Sequence, residues 1–115
     1  QQSASMVKQL EARSYVEPKS VGVVLPMSGP YSSIGQQALK GIQLALGISG
    51  TTNKYNLRLH IVDTKDSPEE ASRAIESLIL KDHVLAIIGG LTSKTASAEA
   101  TKAQELGAPF IALSN

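Results

Sequence analysis

Four short apolar runs, separated by segments of helical periodicity, set the narrowest limit on what this chain can fold into. They are Val21 to Leu25, Leu57 to Val62, which alternates apolar and polar residues, Val84 to Ile88 and Pro109 to Leu113. All are of strand length and rich in β-branched or large aliphatic residues. Between the first two, Ala38, Leu39, Ile42 and Ala45 recur at three- and four-residue spacing and form one apolar stripe. Ala71, Ala74, Ile75, Leu78 and Ile79 do the same after the second run. Ala96, Ala100 and Ala103 form a stripe of small residues after the third. The predicted order is βαβαβαβ. Apolar strands joined by amphipathic helices make an α/β fold, a parallel sheet in three layers with helices on both faces. Right-handed crossovers then bring every strand's carboxyl end to one edge.

Turn-forming residues punctuate this pattern. Ser32 or Ser33 is placed to cap the first helix, and Gly47 and Gly50 close it ahead of a polar turn over Thr51 to Asn56. Ser67 caps the second helix, with Pro68 in its first turn and Glu69 and Glu70 near its positive end. Gly89-Gly90 stops the third strand, and Gly107 ends the third helix. Residues 1–20 read as a polar lead or linker, or as the tail of a preceding helical region, and 21–115 as one unit. A typical sheet holds about five to six strands, so this unit reads as the opening part of a longer protein. A sheet stopped at its fourth strand exposes an edge and apolar surface, so self-association of the isolated segment is expected.

Composition removes several functions. The net charge is +1, with Lys and Arg scattered, and aromatics are confined to three Tyr and one Phe. Neither a nucleic-acid partner nor a base-stacking platform is expected. The chain has no Cys, which removes disulfides and thiolate chemistry. His60 and His83 lack metal-ligand spacing. No GxGxxG or GxxxxGK[ST] motif occurs, so nucleotide cofactors are not expected. A phospho-receiver needs acidic strand ends, whereas these are Leu25-Pro26 and Ile88-Gly89. Asp63 and Asp66 flank Lys65 and read as loop aspartates that bracket the next helix. No nucleophile–base pair stands out, so an enzyme is not expected.

The carboxyl edge of the sheet is where ligands of open α/β folds bind. Three loops converge there, Met27 to Gly35, Asp63 to Ser67 and Gly89 to Thr95, joined by Ser114-Asn115. The first runs uncharged from Leu25 to Gln36 and carries Ser28, Tyr31 and Ser32. These residues can line a ligand or serve the turn itself. Ser93, at the start of the third helix, can offer its hydroxyl to an anion, or act as a cap or first-turn residue behind Thr92.

Several segments, in this order, resemble the type I periplasmic binding proteins, in particular the branched-chain amino-acid receptors. They are Val21-Gly22-Val23-Val24-Leu25-Pro26-Met27-Ser28-Gly29-Pro30 with Ile34-Gly35, Gly41-Ile42-Gln43-Leu44-Ala45, and Asp63-Thr64-Lys65-Asp66-Ser67-Pro68. Ile87-Ile88-Gly89-Gly90-Leu91-Thr92-Ser93 and Glu105-Leu106-Gly107-Ala108-Pro109-Phe110-Ile111 complete the set. The resemblance implies that Val21 to Asn115 is the first part of the N-terminal lobe of a two-lobed extracytoplasmic or periplasmic receptor. It implies a small polar ligand such as an amino acid, a second lobe, and a membrane permease as partner. By position, Ser93 corresponds to a hydroxyl contact, Ile34 to an apolar wall, and Ser114 and Asn115 to the next contact loop. With Ser28, Tyr31 and Thr92 these form the expected ligand-binding set, with no catalytic residue, metal or cofactor. Ile48-Ser49-Gly50-Thr51-Thr52-Asn53 departs from the family's Asn-Ala-Gly-Gly turn. A related branch, resembling lipoprotein activators of peptidoglycan synthases, carries the same fold behind helical repeats. The segment Leu10 to Pro18 is compatible with such a tail, and a cell-wall synthase would then be the partner.

Overall fold

A computed structural model describes residues 15–114. The first apolar run forms β1 (Ser20–Leu25), every residue of which is buried. A single 3-10 turn over Gly29–Tyr31 leads into α1 (Ser32–Ala45). The helix is thus capped by Tyr31, without a side-chain hydrogen bond, and not by Ser32 or Ser33. Ser32 already has helical backbone, at φ -61° and ψ -36°, so both serines lie inside the helix and not at its cap. The polar turn after α1 holds a small antiparallel hairpin, β2 (Ile48–Ser49) with β3 (Thr52–Asn53). Gly50 at φ 55° supplies the left-handed backbone at its tip.

β4 (Arg58–Asp63) follows, then α2 (Pro68–Leu80). The Ser67 hydroxyl accepts from the Glu70 N–H at 3.3 Å, the expected cap. β5 (Ala86–Gly89), α3 (Ser93–Glu105) and β6 (Phe110–Ala112) complete the order. All pairings in the larger sheet are parallel, in the order β4-β1-β5-β6.

The period-two alternation of β1 divides the core into two layers. Val21, Val23 and Leu25 pack with Ile42 of α1 and Ile88 on one face. Val24 faces the other way, with Ala74, Ile75, Leu78 and Ile79 of α2 and Ala103 of α3. Each fully buried Leu or Ile in these clusters contributes about 1.5–3 kcal/mol of hydrophobic stabilisation. The buried face of α3 is Thr95, Glu99 and Ala103, rotated from the expected alanine stripe, and Ala100 is exposed. A polar contact made by Glu99, described below, turns the helix that way. Asn115 and most of the polar lead, residues 1–14, lie outside the described residues.

Close approach of α1 to the end of β1 needs Gly35. A Cβ there would fall 2.1 Å from the Pro26 carbonyl oxygen, whereas one at Gly41 would meet nothing within 4 Å. Gly35→Ala is therefore expected to destabilise the protein by about 1–3 kcal/mol. Gly41→Ala, on the exposed side of the same helix, should be neutral or stabilise by up to about 1 kcal/mol. Urea denaturation of both variants checks this; equal midpoints would disprove the close-approach argument.

Candidate functional site

The strand order fixes where the loops meet. From β1 the chain crosses through α1 to β4 on one side, then returns through α2 to β5 on the other. The direction reverses between β1 and β5, and at such a switch point the loops diverge and leave a crevice at the carboxyl edge. Pro26 to Tyr31 and Gly90 to Thr92 form its two sides.

Hydrogen bonds stitch this rim together. Asp63, at the end of β4, accepts from the Met27 N–H at 2.9 Å and from the Lys65 N–H at 2.8 Å. Partial burial pushes its carboxyl up, but donation from the Ser28 hydroxyl and from the N–H groups of Lys65, Met27 and Ser28 outweighs this, leaving it below its ordinary range. Next along the rim, Asp66 accepts from the Thr92 hydroxyl at 2.7 Å. Thr92 and Thr95 hydroxyls also meet at 3.3 Å. Lys65 and Asp66 both sit at φ 53°, a left-handed backbone unusual for residues with side chains. The two aspartates thus bracket neighbouring loops across the edge, beyond the local role expected for them. Past β6, the Ser114 hydroxyl donates to the Gly90 carbonyl at 2.7 Å, and the Leu113 N–H donates to the Gly89 carbonyl at 2.7 Å.

Ser28, Thr92 and Ser114 therefore hold the rim through their hydroxyl protons and keep lone pairs to accept from a ligand. Tyr31 and Ile34 are exposed at the start of α1. Ser93 is exposed as the first residue of α3. The N-cap Thr92 makes no side-chain cap hydrogen bond, because its hydroxyl is turned to Asp66. The first N–H groups of α3 are left without a side-chain cap beside the Ser93 hydroxyl, an arrangement that favours negative charge.

Sequence reasoning missed Glu99. Its carboxylate is 1% exposed and accepts from the Gly90 N–H at 2.7 Å. The available signal was its place four residues from both Thr95 and Ala103, which sets it on their helical face. The histidines lie toward the other end of the sheet. His60 Nε2 is 3.3 Å from the Ser20 hydroxyl, and its Nδ1 is 3.9 Å from an Asp82 oxygen. Ser20 is buried there, so this Ser–His–Asp line has no access for a substrate. Among the described residues, no group of three or more His, Cys, Asp or Glu side chains could hold a metal ion. Concavities of about 300 Å³ between α1 and the β2–β3 hairpin, and about 410 Å³ beside Pro68, Arg73 and Ala98, lie off the crevice. The rim itself is an open, one-sided surface.

Residues 18–115 match the family model for periplasmic binding proteins. Among solved structures, the chain is similar to an ABC transporter substrate-binding protein from Sphaerobacter thermophilus, with 31% identity and a TM-score of 0.70 over 84% of this chain and 26% of that one. It is similar to a leucine-binding protein from Thermotoga maritima, with 34% identity and a TM-score of 0.66 over 79% of this chain and 26% of that one. A Rhodopseudomonas palustris solute-binding protein in complex with benzoate shares 28% identity, with a TM-score of 0.68 over 84% of this chain and 27% of that one. The chain thus spans about a quarter of these structures' length. Comparison with curated proteins returned no match.

The Asp63 bracket has a definite pH signature. Its carboxyl lies below its unfolded value, so the folded state binds fewer protons there. That stabilisation is complete above the unfolded pKa of about 3.9 and is lost as pH falls through the lower folded value. Asp63→Asn should remove this part of the acid sensitivity and lower stability near neutrality by roughly 1–2 kcal/mol. Urea midpoints measured from about pH 7 down to about pH 2 check both; parallel curves for the two proteins would disprove the bracket.

Proposed function

The chain belongs to the periplasmic binding protein family, and from that premise we propose that its rim is one wall of the ligand cleft of an extracytoplasmic solute receptor serving an ABC-type transporter. The ligand is a small molecule bearing a carboxylate, such as an amino acid. The carboxylate is held at the start of α3 by the Ser93 hydroxyl and the first N–H groups of the helix. Tyr31 and Ile34 give the apolar part of the ligand a surface to pack on. Ser28, Thr92 and Ser114 position the loops and add acceptor oxygens. The facing wall comes from a second lobe, and the ligand works by bridging the two. Closure about a hinge is stabilised by those shared contacts, and a membrane permease reads the closed state. Binding and closure need no bond-making chemistry, in keeping with a non-enzymatic family.

The observation that carries this reading is the uncapped start of α3 with an exposed Ser93 beside the switch-point crevice. The leucine-binding and benzoate-bound proteins similar to this chain support a carboxylate ligand.

Calorimetry on the full-length protein with L-leucine, L-valine and benzoate tests it. Ser93→Ala should weaken binding of whichever probe binds by about tenfold or more, the loss of one or two hydrogen bonds to a charged group. Ser97→Ala, exposed one turn further along α3, should bind like the unchanged protein. Equal affinity of the Ser93→Ala and unchanged proteins would overturn the assignment.

A further inference from the structure

Among the described residues, no cation neutralises the Glu99 carboxylate. The residue sits almost two turns into α3, and its side chain reaches back toward the helix start, as helical Cα–Cβ bonds direct. The space it occupies is made by two glycines. A Cβ on Gly89 would come 2.8 Å from Glu99 Oε1 and 2.5 Å from Val24 Cγ2. Gly90, at φ 72°, aims its N–H at the same oxygen. The Thr95 hydroxyl also favours the charged form, while Asp66 from the β4–α2 loop opposes it. Nothing else ionisable faces Glu99 from its neighbours. β1, β5 and β6 carry no ionisable residue. The inward residues of α2 are Ala71, Ala74, Ile75, Leu78 and Ile79. Burial therefore dominates and pushes the Glu99 carboxyl above its ordinary range.

We propose that Glu99 is a proton-linked positioning residue of the rim, whose protonation and the binding of a ligand carboxylate at the start of α3 favour one another. The proposal rests on the ligand reading given above. The physical cause is repulsion. The Glu99 carboxylate, Asp66 and the ligand carboxylate are like charges gathered near the start of one helix, and Glu99 among them is shut away from water. One proton on Glu99 removes one of three negative charges and breaks no backbone contact, because the remaining carbonyl oxygen still accepts from Gly90. By linkage, ligand binding raises the proton affinity of Glu99, and the receptor takes up protons as it fills.

Two measurements on the full-length protein test this. Without ligand, the NMR shift of the Gly90 N–H should follow a titration with its midpoint above the ordinary glutamate range, which Glu99→Gln abolishes while keeping an acceptor for Gly90. Calorimetry with L-leucine and benzoate, in buffers of different ionisation heat, should show proton uptake on binding. Affinity should rise about fivefold to tenfold as pH is lowered through that titration in the unchanged protein and stay within about twofold in Glu99→Gln. A Gly90 N–H that does not titrate, or proton uptake that persists in Glu99→Gln, overturns the role of Glu99 while the ligand reading stands. Failure of both probes to bind overturns the ligand reading, and the coupling with it, even where Gly90 titrates.

Discussion

The position of β1, paired along both edges and covered on both faces, is the constraint on which the rest of the molecule depends. A strand with parallel neighbours on either side must be left by a crossover to one and returned to by a crossover from the other. That reversal separates the loops after β1 and β5 and creates the crevice. The same burial makes β1 apolar from Val21 to Leu25. Polar groups for recognition therefore cannot come from its body and must come from the loop beyond Leu25. Gly35 then lets α1 close onto that loop, so the packing of the core sets the position of Ser28 and Tyr31.

Two carboxylates maintain the rim, with their pKa values displaced in opposite directions. Asp63 is held charged by several N–H and hydroxyl donors, and its contribution to stability is lost in acid. Glu99 is buried with few donors and a like charge in Asp66, and its charged form becomes costly as pH rises through its raised pKa. The first works as a fixed bracket between loops. The second is poised to respond when charge arrives at the start of α3. The difference lies in the number of donors each carboxylate receives and in how much water each retains, not in residue type.

Much of this architecture is legible in the sequence. The four strands, three helices and the convergence of loops on one edge follow from apolar periodicity, and Ser67-Pro68 marks a helix start unambiguously. The segments that resemble the periplasmic binding proteins fall within the residues that match that family's model. Less legible is anything that depends on which polar groups meet across the sheet. Asp63 and Asp66 read as local turn residues, because a sequence does not show that Met27 and Thr92 lie beside them. The α3 stripe was displaced for the same reason: Thr95 and Glu99 have no apolar signature, yet the Gly90 N–H makes the interior the favourable place for that carboxylate. The hairpin after α1 is short and almost fully exposed, so it leaves no hydrophobic pattern.

The division of labour among the rim hydroxyls follows from satisfying polar groups in order of cost. Loops that leave a buried sheet expose carbonyls and N–H groups that need partners. Ser28, Thr92 and Ser114 lie where such partners are close, and their protons are drawn into the scaffold. Thr92 is the instructive case. With its hydroxyl turned toward Asp66 it leaves α3 without a side-chain cap, a loss of about 1 kcal/mol in an ordinary helix. The first turn keeps its affinity for an acceptor. On the proposed reading, a ligand carboxylate supplies the missing cap and recovers that cost on binding. In this geometry the defect at the helix start and the proposed recognition of an anion are one physical feature.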